Sequence, residues 1–237
     1  MKTIFSIMLM IGFVGVANAN SNLPGVVDGF YHTGYIPNGF DSNDHVQLVG
    51  EGVFSSSCYR PAGYEVNVND AESKIEITPR AYEYDSGFCL MMVVNYSQTI
   101  DVGVLKAKSY KVVQKPSNID MGQLDVRVAT NSQPDDFLYA PISQAFAESK
   151  SKSNVKIKLA GEFTNSCQSF AGLPQVDVQS NVIVVQPVTE MDSSELCADG
   201  VFPFEKEVAV DNVKAGRYLI HVRSQNANSV NSFVDVK

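Results

Sequence analysis

The chain has 237 residues, and its 26 acidic residues outnumber 18 basic ones to give a formal net charge of −8. Because the basic residues are spread singly, they offer no footprint for a phosphate backbone, so nucleic acid and anionic lipid are poor partners. A chain of this length suits one large all-β domain or two domains of ordinary size.

The first nineteen residues predict a cleaved signal peptide. Lys2 precedes an apolar run over residues 3–16, and residues 17–19 read Ala-Asn-Ala, a small-residue ending that signal peptidase accepts. The run is too short to be a permanent membrane anchor. We therefore expect a product exported to the periplasm or secreted, beginning at Asn20, without membrane insertion.

Two apolar, tyrosine-containing segments are predicted to lead into strands. Residues 26–40 and the middle of residues 131–154 each contain a Tyr-x-Pro, at 35–37 and at 139–141. Proline confines such a segment to the edge of a sheet, so we expect each to lie against the strands that follow it. The alternative is pairing with the neighbouring domain or another chain. The end of the second segment, "ESKSKSN" at 148–154, is predicted to be flexible linker.

A cluster of oxygen-bearing side chains comes directly before the first long strand. Asp41, Asn43 and Asp44 lie within four residues, a composition that calcium favours and that faintly resembles the acidic linkers of cadherins. The full calcium-loop pattern is absent, and Asx-rich turns before strands are common for backbone reasons. These residues are therefore a weak calcium candidate beside a turn.

Short segments that alternate apolar and polar residues occur throughout the chain after the signal peptide. No long stretch shows helical spacing, so the sequence predicts an all-β fold, a sandwich or a barrel. The predicted strands are 46–54, 64–68, 74–78, 99–104, 110–113, 124–128, 155–163, 176–178, 182–185, 206–210, 218–222 and 232–236.

The two halves of the chain align with one another. "GVFSSSC" at 52–58 matches "GEFTNSC" at 161–167, and "LKAKSY" at 105–110 matches "VKAGRY" at 213–218. The offset is 109 residues in the first pair and 108 in the second, a slip that one loop accommodates. We expect two copies of one domain, at 20–130 and 131–237, with 131–154 as lead-in and linker.

Each predicted copy contains two cysteines, which suits an exported protein with two disulfides. Equivalent positions favour bridges within each copy, Cys58 to Cys89 and Cys167 to Cys197. A metal site is the weaker alternative, because the chain has no closely spaced Cys/His cluster.

The segments 105–110 and 213–218, which end at Tyr110 and Tyr218, each resemble the L-x-x-G-x-Y corner of fibronectin-type-III and bacterial immunoglobulin-like domains. This resemblance implies tandem immunoglobulin-like β-sandwiches, with Tyr110 and Tyr218 as corner tyrosines whose hydroxyls bond to upstream backbone. Gly216 occupies the glycine position of the second corner. Lys108 replaces that glycine in the first, so we expect a different turn there.

The polar loop at 223–232 lies where the resemblance places the F–G loop, a common position for binding residues. A projecting loop there could contact a partner, although a longer turn is the simpler interpretation. The candidate binding residues are Arg223, Gln225, Asn226, Asn228 and Asn231.

The sequence contains no nucleophile-and-base motif around its three histidines, His32, His45 and His221. His221 alternates with apolar residues and is expected to face solvent. We expect a non-catalytic protein without a cofactor that binds an unknown protein or envelope component. The alternatives are an exported hydrolase or inhibitor whose site is hidden in sequence, and a calcium-dependent adhesive module.

Overall fold

The structure is a computed structural model that describes residues 24–85, 88–151, 153–192 and 196–237. Within these residues every regular element is a β-strand, and each alternating segment of the sequence overlaps one of them, with the segment 124–128 passing the end of its strand by one residue. The all-β prediction is therefore confirmed. The signal peptide predicted at 1–19 lies outside the described residues.

The strands before residue 130 form two sheets, which together we call the N-terminal sandwich. One sheet has the order β2-β4-β7; the other has the order β1-β6-β8-β9-β3, with β5 also paired to β6. The strands are β1 (Gly25–Asp28), β2 (Tyr31–Tyr35), β3 (Phe40–Asp41), β4 (His45–Ser56), β5 (Tyr59–Asn69), β6 (Lys74–Glu83), β7 (Met91–Val104), β8 (Lys108–Gln114) and β9 (Ile119–Arg127).

The strands after residue 140 form separate sheets, which we call the C-terminal sandwich. Its two main sheets have the orders β10-β11-β16 and β13-β14-β17-β18, and β12 pairs with β15. The strands are β10 (Ile142–Ser151), β11 (Asn154–Asn165), β12 (Gln168–Phe170), β13 (Gln175–Gln179), β14 (Val182–Gln186), β15 (Thr189–Met191), β16 (Asp199–Val210), β17 (Gly216–Ser224) and β18 (Asn228–Val236).

Each sandwich has its own apolar core, because the alternating residues of its strands turn one face inward. Leu48, Ile77 and Val112 lie in the first core, contributed by both sheets of the N-terminal sandwich. Ile157 and Ile220 occupy the same kind of position in the second core. The β-sandwich prediction is therefore confirmed in its general form.

A parallel pair of strands lies in the middle of one sheet of each sandwich. In the first, β6 pairs with β8 and Ile75 lies opposite Val112; in the second, β14 pairs with β17 and Ile183 lies opposite Ile220. Both residues of the second pair are 108 positions after those of the first. Immunoglobulin-like sandwiches are built of antiparallel sheets, so the central parallel pair departs from the resemblance.

The lead-in segments form edge strands on their own sandwiches, as the sequence predicts. Strand β2 pairs with β4, and β10 pairs with β11. The backbones approach closely where the shared motif has glycine: a Cβ on Gly52 would lie 2.3 Å from the Phe30 carbonyl oxygen, and one on Gly161 would lie 2.1 Å from that of Pro141. These contacts explain why both motifs carry glycine there.

The prediction of a flexible linker at 148–154 is wrong. Strand β10 continues to Ser151, and Ser149 lies opposite Val155 in the ladder with β11. The serine-lysine segment is therefore one end of a β-hairpin. Polar composition misled the interpretation, because an edge strand with an exposed face needs few apolar residues.

One disulfide joins the two cysteines of each sandwich, with the predicted pairing. Cys58 bonds to Cys89 and Cys167 bonds to Cys197, and each pair has its Cα atoms 5.4 Å apart. The first bridge links the end of β4 to the segment just before β7. The second links the end of β11 to the segment just before β16. The disulfide prediction is confirmed.

The two sandwiches pack against one another through the outer faces of two sheets. Val184 and Leu219 of the C-terminal sandwich contact Tyr35 and Val49 of the N-terminal sandwich in a small apolar cluster. Strands β14 and β17 are therefore buried on both faces, which their nearly continuous apolar sequence reflects. The expectation that His221 faces solvent is wrong, because this interface covers its face and leaves it 0% exposed.

Ion pairs border the apolar cluster of the interface. The Arg217 guanidinium donates to both carboxylate oxygens of Glu51, from Nε at 3.1 Å and from Nη2 to Oε1 at 2.8 Å. Tyr35 donates its hydroxyl to Glu51 Oε2 at 2.9 Å. Burial acts to raise the pKa of Glu51, but these hydrogen bonds outweigh it and the pKa is lowered. Glu51 is therefore held as a carboxylate between the sandwiches.

Candidate functional site at the junction of the two sandwiches

The segment between the sandwiches is fixed at both ends by hydrogen bonds. Asn43 of the N-terminal sandwich donates its amide to Asp136 Oδ1 at 2.8 Å. On the other side, the Thr189 backbone N–H donates to the Leu138 carbonyl at 2.7 Å. Residues 131–139 therefore form an ordered loop that spans the two sandwiches.

This loop and the tip of the β17–β18 hairpin enclose an open cavity of about 340 Å³, which we call the junction cavity. The hairpin is tied to the loop because Ile142 donates its N–H to Ser224 Oγ at 2.9 Å. A cavity of this volume lies within the range of small-molecule sites. Its walls are Asn131, Gln133, Pro134, Asp135, Asp136, Phe137, Leu138, Tyr139, Ser224, Gln225, Asn226 and Ala227.

Two adjacent carboxylates dominate the charge of the junction cavity. Burial raises the pKa of Asp135 to about 6, and the neighbouring carboxylates Asp44 and Asp136 add to the rise. Hydrogen bonds from the side chain and backbone of Thr130 lower the pKa of Asp136 to about 2. At neutral pH both carboxylates are therefore predominantly ionised, but burial makes the ionised form of Asp135 less favourable than it is in water.

A smaller recess of about 10 Å³ lies behind Asp135, which lines both spaces. Its walls include His221 and Arg223, both buried, and the Arg223 guanidinium lies 3.7 Å from the centre of the Phe40 ring. Arg223 Nη1 donates to Asp44 Oδ2 at 3.0 Å, a buried ion pair that joins the sandwiches. We call this space the inner recess.

Polar atoms of the inner recess lack hydrogen-bond partners among the described residues. They are Nε and Nη2 of Arg223 and Nε2 of His221. Burial lowers the pKa of His221 to about 3, so the imidazole is neutral. Its Nδ1 lies 2.9 Å from the Asn231 side-chain oxygen, an acceptor, which makes Nδ1 the donor and leaves Nε2 as an acceptor.

The structure divides the candidate binding residues of the last hairpin. Gln225 and Asn226 line the junction cavity, and Asn228 lines the inner recess. Arg223 also lines the inner recess, and both Arg223 and Asn231 contact the N-terminal sandwich, since Arg223 pairs with Asp44 and Asn231 donates to Thr99 Oγ1 at 3.3 Å. The loop is therefore less free to project than the sequence interpretation supposed, because the N-terminal sandwich lies against one side of it.

The weak calcium candidates are each engaged with protein groups. Asp41 pairs with Arg127 at 2.9 Å, Asp44 pairs with Arg223, and the Asn43 amide holds the interdomain loop. Among the residues that the structure describes, no group of three or more His, Cys, Asp or Glu could hold a metal ion. Asn43 and Asp44 therefore help to join the sandwiches, whereas Asp41 is paired within the N-terminal sandwich.

The histidines occupy three different environments. His32 is exposed, with its Nδ1 2.8 Å from the Thr33 hydroxyl. His45 Nε2 lies 3.2 Å from Asp101 Oδ1, a half-exposed pair on neighbouring strands. His221 is buried beside Arg223. His45 and His221 both line the inner recess, whereas His32 does not.

The corner tyrosines are buried in the two cores, and their turns differ. The Tyr110 hydroxyl donates to Asp70 Oδ1 at 2.8 Å. Gly216 has φ of +153°, whereas Lys108 is not among the residues with positive φ. As expected from the missing glycine, the first corner uses a different backbone conformation.

Asp135, Asp136 and Phe137 line the candidate site but were not singled out by their residue types. The signal available in sequence was the apolar run at 137–139, too apolar for a free tether. Tyr139 is indeed buried, while Phe137 stays 45% exposed at the cavity. Nothing in the sequence marks Glu51 and Arg217 as a pair that joins the sandwiches, because the two residues are 166 positions apart.

Part of the chain is similar to a known protein family. Residues 157–234, from β11 into β18, match the family model described as the ORF11 beta-sandwich domain. No curated protein and no solved structure matches the chain. No helix among the described residues is long and apolar enough to cross a membrane. The family match and the strands together show a β-sandwich domain in the C-terminal part of the chain.

Proposed function

We propose that the protein is an exported, non-catalytic binding protein, associated with the cell envelope or secreted, whose ligand or partner occupies the junction cavity. Export would follow cleavage of residues 1–19. Two disulfides support an oxidising compartment, because such bonds are rare where thiols are kept reduced.

The junction cavity is the observation that carries this proposal. Binding residues commonly lie on loops that a rigid scaffold positions, and here hydrogen bonds fix the loop at 131–139 to both sandwiches. Aromatic and aliphatic side chains lie beside amides and carboxylates on one concave surface, which therefore offers both apolar contact and polar groups that can orient a ligand.

The scaffold is proposed to consist of two copies of one immunoglobulin-like unit, at 20–130 and 131–237. The constant offset of 108 between the two central parallel pairs supports this interpretation. So do the matching disulfides, with sequence separations of 31 and 30. Duplication would give each unit a lead-in strand, and the second lead-in would supply one wall of the cavity.

The test is retention of an envelope component by the purified full chain. Phe137→Ser combined with Gln225→Ala should remove the component that the wild-type chain retains from an envelope extract, while the unfolding temperature stays unchanged. Leu173→Ser, at an exposed position outside the cavity, is the matched control and should retain it. Equal retention by all three proteins would contradict binding at the cavity.

Envelope association itself is favoured by a second observation. Apolar side chains beside both disulfides are exposed, among them Met91 at 85% and Leu196 at 102%. Adjoining exposed apolar residues mark interaction surfaces, and Phe88 and Val93 extend the first group. Met91→Ser with Val93→Ser should lower the fraction of protein that co-sediments with envelope fragments; an unchanged fraction would exclude this surface.

A further inference from the structure

The junction cavity has an uncompensated negative charge. Among the ion pairs of the described residues, none joins Asp135 or Asp136 to a cationic side chain. The nearby guanidinium of Arg223 is already paired with Asp44 at 3.0 Å. Two carboxylates beside one another on a concave wall attract a cation.

An apolar wall lies beside these carboxylates. Phe137 is 45% exposed and Leu138 is 41% exposed, and both line the cavity. The Phe137 ring lies 6.0 Å from that of Tyr139, so the wall is partly aromatic. Aromatic faces attract organic cations, and apolar stems pack against such rings. Carboxylates next to aromatic and aliphatic surface therefore favour an organic ammonium over a bare metal ion.

The inner recess places a separate requirement on the ligand. Arg223 is 4% exposed, and its Nε and Nη2 are donors without a partner, while the neutral His221 Nε2 is an acceptor without one among the described residues. A hydroxyl group satisfies both, since it accepts from a guanidinium N–H and donates to an imidazole nitrogen. The recess volume suits one group the size of a hydroxyl.

We propose that the junction cavity binds an amino alcohol, a class that includes amino sugars, with its ammonium at Asp135 and a neighbouring hydroxyl in the inner recess. The apolar part of the ligand lies against Phe137 and Leu138. This inference rests on the proposed binding function and names the chemistry of the ligand. Burial that raises the pKa of Asp135 supports it, because a cationic ligand restores the interactions that this carboxylate lacks.

Three ring compounds of similar size test the proposal by isothermal titration calorimetry on the full chain. The probes are trans-2-aminocyclohexanol, cyclohexylamine, which lacks the hydroxyl, and cyclohexanol, which lacks the amine. We expect the amino alcohol to bind saturably, more tightly than cyclohexylamine and at least tenfold more tightly than cyclohexanol. Equal affinity for all three, or no saturable binding by any of them, would overturn the proposal.

Asp135→Asn provides the matching variant. The Asp135 side chain accepts the Phe137 backbone N–H at 3.0 Å, and an asparagine oxygen can accept the same bond, so the loop is preserved. Affinity for both amines should fall at least tenfold. Asp211→Asn, on an exposed carboxylate away from the cavity, should bind like the wild-type chain. Identical affinities of the two variants would reject the role of Asp135.

The binding function and the amino-alcohol chemistry of the ligand can be rejected separately. Loss of envelope retention in the Phe137 variant together with no binding of the three probes would reject the amino-alcohol chemistry and leave the binding function in place. Retention that ignores the cavity variants, with saturable binding of the amino alcohol, would reject the envelope partner and support the ligand site.

Discussion

At the scale of single residues, the first corner has a hydrogen bond to a carboxylate that the second does not have at the same place. The Tyr110 hydroxyl donates to Asp70, which directly follows β5, whereas Ser180 directly follows β13 in the second sandwich. Asp70 is 41% exposed, so solvent weakens the bond. We expect Tyr110→Phe to lower the free energy of unfolding by about 1–2 kcal/mol and Tyr218→Phe to lower it less. Urea denaturation measures both; equal losses would contradict the assignment.

Asp135 should make stability depend on pH in an unusual direction for a carboxylate. Its folded pKa of about 6 lies above the unfolded value, so its stabilising contribution is present at low pH and is lost as pH rises through 6. Asp135→Asn removes the charge, and its unfolding temperature should exceed that of the wild-type chain at pH 7.5. The gain should disappear at pH 4. A difference that is the same at both pH values would disprove this cause.

The roles of single residues can be predicted from sequence where a nearby pattern marks them, but not where the partner is distant in the chain. The four cysteines could be paired because each half of the chain repeats their spacing. Arg223 looked like a loop residue, since nothing near it in sequence shows that Asp44 lies against it. The acidic string at 41–44 suggested a cation, and the cations it meets are two arginines from distant strands.

At the scale of elements, the joint between the sandwiches rests on the contact of β17 with the turn before β4. The Arg223–Asp44 pair is buried on both sides, at 5% and 3% side-chain exposure. Arg223→Met leaves the Asp44 carboxylate buried without its partner, and we expect a loss of about 3–5 kcal/mol in unfolding free energy. Adding Asp44→Asn should recover part of that loss, because the charge is then gone.

The neighbouring pair is the control for this element. Arg127 is 61% exposed where it meets Asp41, whose side chain is 9% exposed. Because water reaches the guanidinium and screens this pair, Arg127→Met should lower the unfolding free energy by less than Arg223→Met does. Urea denaturation of the single and double variants gives the coupling energies. Similar losses for the two arginines would show that burial at the joint does not matter.

Strands were predictable as elements because period-two alternation marks a sheet with one buried face. The neighbours of each strand were less predictable. The parallel pairing of β6 with β8 follows from β7 crossing to the opposite sheet, and no turn motif records that crossing. The end of strand β10 is easily interpreted as linker from sequence, because residues 148–151 have the polar composition of a flexible tether.

At the scale of the whole molecule, the two sandwiches are expected to behave as one body. An apolar cluster that includes Leu219, at 0% exposure, the Glu51–Arg217 contact and the buried Arg223–Asp44 pair all join them. Alignment of the two halves of the chain predicts two units, but nothing in it shows how they contact one another. The nearly continuous apolar runs of β14 and β17 indicate that both of their faces are buried, but they do not identify the element that covers the second face.

Differential scanning calorimetry of the full chain tests this rigid joint most directly, because the junction cavity exists only if the sandwiches hold their relative position. We predict one transition whose calorimetric and van't Hoff enthalpies agree, with a ratio of about 1. Leu219→Ala should weaken the joint and broaden that transition. Two separate transitions in the wild-type chain, each with its own enthalpy, would contradict a single body and the site that depends on it.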